Sequence, residues 1–481
     1  MSNTQDAVVR FLDQHRARIH DLERLGITLV GAFPEGGALL DKGLFHVNCS
    51  ALEGGGLDLL EAAFATDVFK GFPAPAVVDV SASALSWAVL GCPKESDGVR
   101  ESLLRGRLKL QGTDGVRGPI CLEENGNPVL HFGRTGEITP GLIEMLSYSF
   151  GRLARRNGIV RIGGEVVVAE DGRDAATGGR LSTAMKDGLA AAGLSVVNLG
   201  VAPTPAVPFA QARRGIPLGA SLTASHNPSS QNGIKFFIDG FKLLPEGPMG
   251  DYALSALAWR LSEEDNIVRE TGTVADAPEM LEEFADFIVE NLPHDVVDVL
   301  KDTKIVFDPA NGSFVEAGRR VFEKLGLDVE YVNDDPRGHN INQGGGVAEL
   351  EGARRISAED AGGSPALASV RRMIELAAEG GDVYGLVMDG DGDRGFVVAA
   401  PGGAGEALVA DGDAEAFVLA RRLVESGAIT ADEAPQWDFV GTVESDMELF
   451  SNVRRELGLT TAIECVGDKW LVSGYREGRA L

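Results

Sequence analysis

Leu222-Thr223-Ala224-Ser225-His226-Asn227-Pro228 closes an apolar run that begins at Ile216. The run reads as a buried strand, and the Asn227-Pro228 step turns the chain sharply after it. Ser225 is therefore expected at a strand end, displayed in a loop and not packed in a helix. His226 follows it, and Lys235 lies a little further on in Asn232-Gly233-Ile234-Lys235-Phe236-Phe237. A hydroxyl with basic neighbours at the end of a buried strand suits a nucleophile or a phosphoryl carrier. A plain polar turn between two strands fits the same residues.

Upstream, Val166–Ala169 reads as a strand, Leu181–Gly193 as a helix stopped by its glycine, and Ser195–Leu199 as another strand. This alternation implies a parallel sheet. A helix is expected after Pro203-Thr204-Pro205. Earlier still, Gly112-Thr113-Asp114-Gly115-Val116-Arg117-Gly118 forms a loop whose backbone can approach a ligand closely. An arginine held there can pair a phosphate through its planar fork; an ordinary surface turn has the same letters. Downstream, the acidic amphipathic segment 276–292 can bridge two domains. A second α/β unit follows: strand Ile305–Phe307, helix Phe314–Leu325 stopped by Gly326, strand Val329–Val332, a turn-rich stretch to Gly346, and strand Tyr384–Met388.

That last strand delivers Asp389-Gly390-Asp391-Gly392-Asp393-Arg394. Three carboxylates at alternate positions can converge on one divalent cation with oxygen ligands, and an open side suits Mg²⁺ completing its shell with a phosphate oxygen and water. An EF-hand would need Gly and Glu where Arg394 and Ala400 stand. A dinucleotide fingerprint would lead into a helix, but Phe396–Val398 reads as a strand, and three aspartates repel a pyrophosphate. A solvated acidic turn is the remaining alternative. After Asp411-Gly412-Asp413 a helix, a strand around Phe439-Val440, and a helix to Leu457 are expected.

At 481 residues, with 44% hydrophobic content, the chain can hold several cored domains. Lys+Arg number 44 against 72 Asp+Glu, a net charge of -28 that repels nucleic acid and anionic membranes outside local basic pockets. Cys49, Cys92, Cys121 and Cys465 show no zinc spacing and fit a reducing compartment. Asp6, Arg10 and Asp13 stand where a signal peptide would be apolar, and the apolar stretch Val80–Cys92 is too short to span a membrane. A cytoplasmic chain is expected. Residues 4–24 read as one amphipathic helix, and no repeat or heptad array is present.

Together these motifs resemble the α-D-phosphohexomutases, the phosphoglucomutase, phosphomannomutase and phosphoglucosamine mutase group. The resemblance runs from about Leu110 to the C-terminus and takes in Gly112–Gly118, Thr223–Pro228, Asn232–Phe237, Asp308–Gly312, Gly338–Asn342, Asp389–Arg394 and Val466–Trp470. The spellings lean towards the phosphoglucosamine mutase branch. The resemblance implies consecutive three-layer α/β/α domains with mixed sheets, a phosphoprotein whose phosphorylated Ser225 converts hexose or hexosamine 6-phosphate to 1-phosphate, and a hexose 1,6-bisphosphate as intermediate and activator. It assigns Mg²⁺ to Ser225, Asp389, Asp391 and Asp393, and proton transfer to Lys235. It makes Arg117 a stabiliser of phosphoryl charge and has His226 orient the loop. Thr113, Arg394, Arg173 and Lys469 would bind phosphate or substrate.

The chain also departs from the family pattern. The family's Asp-Thr-Arg loop aligns Ala175 with its arginine, leaving Arg173 to stand in. Residues 1–105 precede the resemblance as an α/β extension. The division expected is 106–265 for domain I, 266–405 for domain II and 406–481 for part of domain III, with domain IV outside this sequence and suppliable by a separate polypeptide. A non-catalytic sugar-phosphate-binding relative is the rival reading, as are the phosphomannomutase and phosphoglucomutase activities within the family.

Overall fold

The computed structural model describes residues 110–476, apart from 113, 124–125, 246 and 264–266 (and the side chains from 473 on), together with five short strands nearer the N-terminus. The helix expected over 4–24, and Cys49 and Cys92, lie outside the described residues. The chain divides into two compact units. One is Met1–Leu110 with Val129–Thr135 and Ser255–Glu263; the other is Gln111–Pro128, Gly136–Leu254 and Glu264–Leu481. In the first, Thr28–Ala32, Leu44–Asn48 and Ala88–Val89 form an antiparallel sheet with Leu44–Asn48 at its centre.

The second unit is built on two mixed sheets. The first has seven strands: β1 (Val116–Pro119), β2 (Glu165–Glu170), β3 (Ser195–Val201), β4 (Leu218–Leu222), β5 (Gln231–Ile238), β6 (Phe241–Lys242) and β7 (Thr273–Asp276). Their order is β6-β5-β4-β2-β3-β7, with β1 also paired to β5. Strands β4, β2, β3 and β7 run parallel, and β5 returns antiparallel to β4. Every residue of β4 and all of Val166–Ala169 are buried, as expected of parallel strands covered on both faces. The covering helices are α1 (Pro140–Arg156), α2 (Arg180–Ala191) and α3 (Ala206–Arg214). Helix α1 starts where Thr139 accepts the Leu142 N–H at 3.1 Å, with a proline in its first turn.

The second sheet runs β9-β8-β11-β12-β13-β10, from β8 (Lys304–Asp308), β9 (Val329–Tyr331), β10 (Arg355–Ser357), β11 (Val383–Met388), β12 (Gly395–Ala400) and β13 (Glu406–Ala410). Because β7 completes the first sheet and β13 the second, these sheets extend beyond the boundaries expected at 265 and 405; a strand belongs with the edge whose backbone groups it satisfies. Helix α4 (Glu279–Asn291) bridges the two, as its apolar stripe suggested. The Phe284 ring lies 5.4 Å, tilted, from that of Phe209 on α3 and 6.3 Å, edge to face, from that of Phe314, the first residue of α5 (Phe314–Leu325). Last come α7 (Gly412–Glu425), packed with α8 (Met447–Asn452) around Phe439 and Phe450, and a parallel pair, β14 (Asp438–Thr442) and β15 (Thr460–Glu464). Helix α6 (Ala368–Glu379) covers the second sheet, and α9 (Asp468–Arg476) ends the described chain.

Candidate active site

Four loops meet at the C-terminal ends of parallel strands β4, β2, β8 and β11, where open α/β sheets place their ligands. After β4, Thr223 accepts the Ser225 N–H at 2.8 Å and donates its own hydroxyl to Asp171 at 2.6 Å. Ser225 takes a left-handed backbone, φ +53°, a sparsely populated conformation for a residue with a side chain. It stands at a strand end as expected, but it is enclosed and not displayed, with 1% of its surface exposed. Its Oγ donates to Asp389 at 2.6 Å and accepts from Arg394 at 3.2 Å.

The loop is held from behind by Arg173. This side chain is fully buried; its Nε donates to Asp171 at 2.8 Å, one terminal nitrogen to the Ser225 carbonyl at 2.6 Å, and the other to the carbonyls of Gln231, Asn227 and Pro228. A guanidinium committed in this way has no fork left for a phosphate, which corrects the substrate-binding expectation for Arg173. From the second sheet, Asn342 donates to the Ser225 carbonyl at 2.8 Å and to that of Asn227 at 3.1 Å.

The aspartate loop is seated by close backbone approach. A Cβ on Gly312 would lie 2.1 Å from the Gly390 carbonyl oxygen, so that position takes glycine, and Ser313 N–H donates to the same carbonyl at 2.9 Å. Asp389, Asp391 and Asp393 each bring a carboxylate oxygen within 4.8 Å of the others. Lys235, at the middle of β5, places its Nζ 2.7 Å from Asp391, 2.7 Å from Asp393 and 2.9 Å from Asp114. Burial works against that charge, yet the carboxylates hold the ammonium protonated well above the ordinary lysine value. Burial would also raise Asp391, but Lys235 keeps its carboxyl far below the usual range. Burial, reinforced by Asp391 and Asp393, raises Asp389. His226, half-buried, is shifted down by burial and by Arg394 and Arg117; its Nδ1 accepts from Arg394, whose guanidinium can only donate.

The donor set fits a hard divalent cation: oxygens alone, with Asp389 and Asp391 buried, Asp393 partly so, and Asp391 Oδ1 left without a hydrogen-bond partner. Arg117 is turned towards Asp114, whose carbonyl and carboxylate accept from it, and among the described residues it makes no hydrogen bond to Ser225 or to the three aspartates. Thr113 lies outside the described residues. Lys469 lines a neighbouring cleft of about 330 Å³ together with Phe241, Lys242, Asp393 and Asp468.

Three contributors were given no role at the site from sequence. Lys242 bridges Asp114 at 2.6 Å, Asp393 at 3.4 Å and Asp468 at 2.8 Å. Thr204 donates to Asp391 at 2.7 Å, and Asn342 ties down the serine loop. Lys242 lies on β6, opposite Phe237 of β5, the strand that carries Lys235.

The phosphoglucomutase/phosphomannomutase α/β/α domain I pattern matches residues 108–247. The phosphoglucosamine mutase of Streptococcus uberis is 31% identical over 374 residues, covering 77% of this chain and 70% of that protein. That of Thermobifida fusca is 33% identical over 371 residues, with the same coverage. This chain is a phosphohexomutase-family protein. A phosphoglucomutase/phosphomannomutase family protein from Burkholderia thailandensis shares the fold, with a TM-score of 0.56 at 22% identity over 77% of this chain and 69% of that one. The family's domain I pattern spans both the Ser225 loop and Lys235. The aspartate loop and Asn342 lie outside it, in loops that connect strands of the second sheet.

Proposed function

We propose that this chain is a phosphoglucosamine mutase, interconverting hexosamine 6-phosphate and 1-phosphate through a phosphoserine at Ser225. The single observation that carries the reading is the seating of Ser225 Oγ, 2.6 Å from Asp389 and 3.2 Å from Arg394, in a buried cluster of three aspartates. In the forward step the P–Oγ bond of phosphorylated Ser225 breaks, a new P–O bond forms to the sugar oxygen as that hydroxyl loses its proton, Ser225 Oγ takes up a proton in turn, and a 1,6-bisphosphate results. The sugar then reorients and returns its other phosphoryl group to Ser225 Oγ. A hexose 1,6-bisphosphate would likewise prime an unphosphorylated Ser225.

Asp389, Asp391, Asp393 and Ser225 would hold Mg²⁺, which when bound offsets the carboxylate charge and polarises the transferring phosphoryl group. Arg394 stands where it stabilises negative charge on the equatorial oxygens. Lys235, held as an ammonium, supplies a proton at the sugar or serine oxygen, and takes one up once its carboxylate partners are otherwise engaged. His226 orients Arg394. A cytoplasmic location goes with this reading; among the described residues no helix is long and apolar enough to cross a membrane. The separate polypeptide expected from the resemblance has no support in these relatives.

The test is intact mass before and after phosphatase, with turnover of glucosamine 6-phosphate against glucose and mannose 6-phosphates in Mg²⁺. One phosphoryl increment on Ser225, absent in Ser225→Ala, and preferential turnover of the hexosamine are expected. A phosphorylated chain without turnover of any of the three sugars points instead to a sugar-phosphate-binding relative.

A further inference from the structure

Helix α1 ends in Arg152, Arg155 and Arg156, and the turn after it carries Arg161. These four line a cup of about 530 Å³ together with Val160 and with Ile162, which is 59% exposed. Arginines are well placed at a helix C-terminus, where they meet the negative end of the dipole. That accounts for Arg155 and Arg156 and leaves Arg161 unexplained. It also leaves a second fact unexplained. In a chain with 72 acids against 44 bases, exposed arginines readily find carboxylates: Arg213 pairs with Glu283, Arg319 with Asp334, Arg355 with Glu406. Arg156 and Arg161 make no ion pair or hydrogen bond among the described residues, and Arg152 makes no ion pair. Arg155 reaches Glu270 at 3.6 Å and donates to the Ala192 carbonyl at 2.8 Å. Arg152 is held in place by the Tyr148 hydroxyl at 2.8 Å, its guanidinium lying over that ring, so little conformational freedom is lost when it engages a ligand.

We propose that this cup binds a small anion carrying two phosphate groups, gripped by Arg152, Arg156 and Arg161. The planar guanidinium matches phosphate in a bidentate fashion, and so many unpaired cations in one cup exceed what a single monophosphate neutralises. The chain's overall negative field opposes anions, so retention here must come from this local array and weaken with salt. Val160 and Ile162 give the lining an apolar part that can meet the organic portion of a nucleotide or sugar.

The test uses the full chain at low ionic strength, with pyrophosphate, ADP and a hexose 1,6-bisphosphate as separate arms and orthophosphate as reference. Calorimetry measures affinity, and amide hydrogen exchange maps where each anion sits, which separates the cup from the Ser225 loop. Protection of residues 156–162 is expected, with pyrophosphate tighter than orthophosphate. The Arg156→Gln/Arg161→Gln double variant should weaken that binding roughly tenfold or more without changing the unfolding midpoint. Arg161→Gln alone, outside the helix, keeps the test if the double variant unfolds. Absence of protection over 156–162 with all three diphosphates, or equal affinity in the variants, overturns the proposal. Protection in the ADP arm alone assigns the ligand to nucleotides, and in the sugar arm alone to sugar bisphosphates.

Discussion

With its guanidinium fully enclosed, Arg173 fastens the serine loop to the end of β2 through Asp171 and several loop carbonyls. Apart from Asp171, its partners lie 52 to 58 residues along the chain, so folding alone assembles them, and no local pattern in the sequence marks the role. Removing one member of a buried charged pair leaves the other unpaired in low dielectric, a cost of about 3–5 kcal/mol. Arg173→Ala should therefore lower stability by that amount in denaturant unfolding and reduce Ser225 phosphorylation. Arg173→Lys should recover little, because one ammonium cannot reach carbonyls and carboxylate together as the fork does. Stability of Arg173→Ala within about 1 kcal/mol of the parent chain would remove the clamp from the account. Ser225 itself shows the same limit of sequence reading: its place at a strand end was legible, its burial under Asp389 and Arg394 was not.

Strands β14 and β15 form a two-stranded parallel pair, an element that needs further strands or cover to be stable by itself. Around them Val443 is 67% exposed, Met447 64% and Ile463 48%, while α7 turns Val418 and Leu419 to solvent. Beside this stands β4, buried throughout and flanked by β2 and β5. Local opening follows few buried contacts and exposed backbone bonds. Amides of Asp438–Glu464 should thus exchange much faster than those of β2 and β4, and equal protection across the two regions would contradict this. The unpaired edge and apolar surface also make this segment the place where aggregation of the isolated chain should begin.

Across the whole unit, two sheets contribute to one charge cluster: Lys235 from the first, the three aspartates from the second, with Thr204 of the first donating to Asp391. Asp389, raised by burial and by its neighbouring carboxylates, binds a proton more tightly in the fold than its ordinary value of 3.8 allows in the unfolded chain. The native state then holds more protons than the unfolded one, so without metal, stability falls as pH rises from the carboxylate range upward. Mg²⁺ must displace that proton, and the gain from adding it should grow with pH. Thermal unfolding with Mg²⁺ or chelator, at about pH 5.5 and about pH 8, should show the larger Mg²⁺-dependent rise at the higher pH; no rise at either would argue against these aspartates as the metal site. The sequence by itself determined strands β2, β3, β4, β8, β9, β11 and β12, helices α2, α3 and α5, the serine and aspartate loops and the family, because apolar periodicity, glycine stops and short motifs are local signals; the shorter strands β1, β6, β7, β10 and β13 and helices α1 and α6 carried no such signal. Only the tertiary structure decided that Arg173 clamps the loop instead of facing a phosphate, that Lys242, Thr204 and Asn342 join the site, and that Lys235 sits as an ammonium among carboxylates. Those outcomes rest on burial and on hydrogen-bond partners brought together from distant parts of the chain, and neither exists until the sheets have packed.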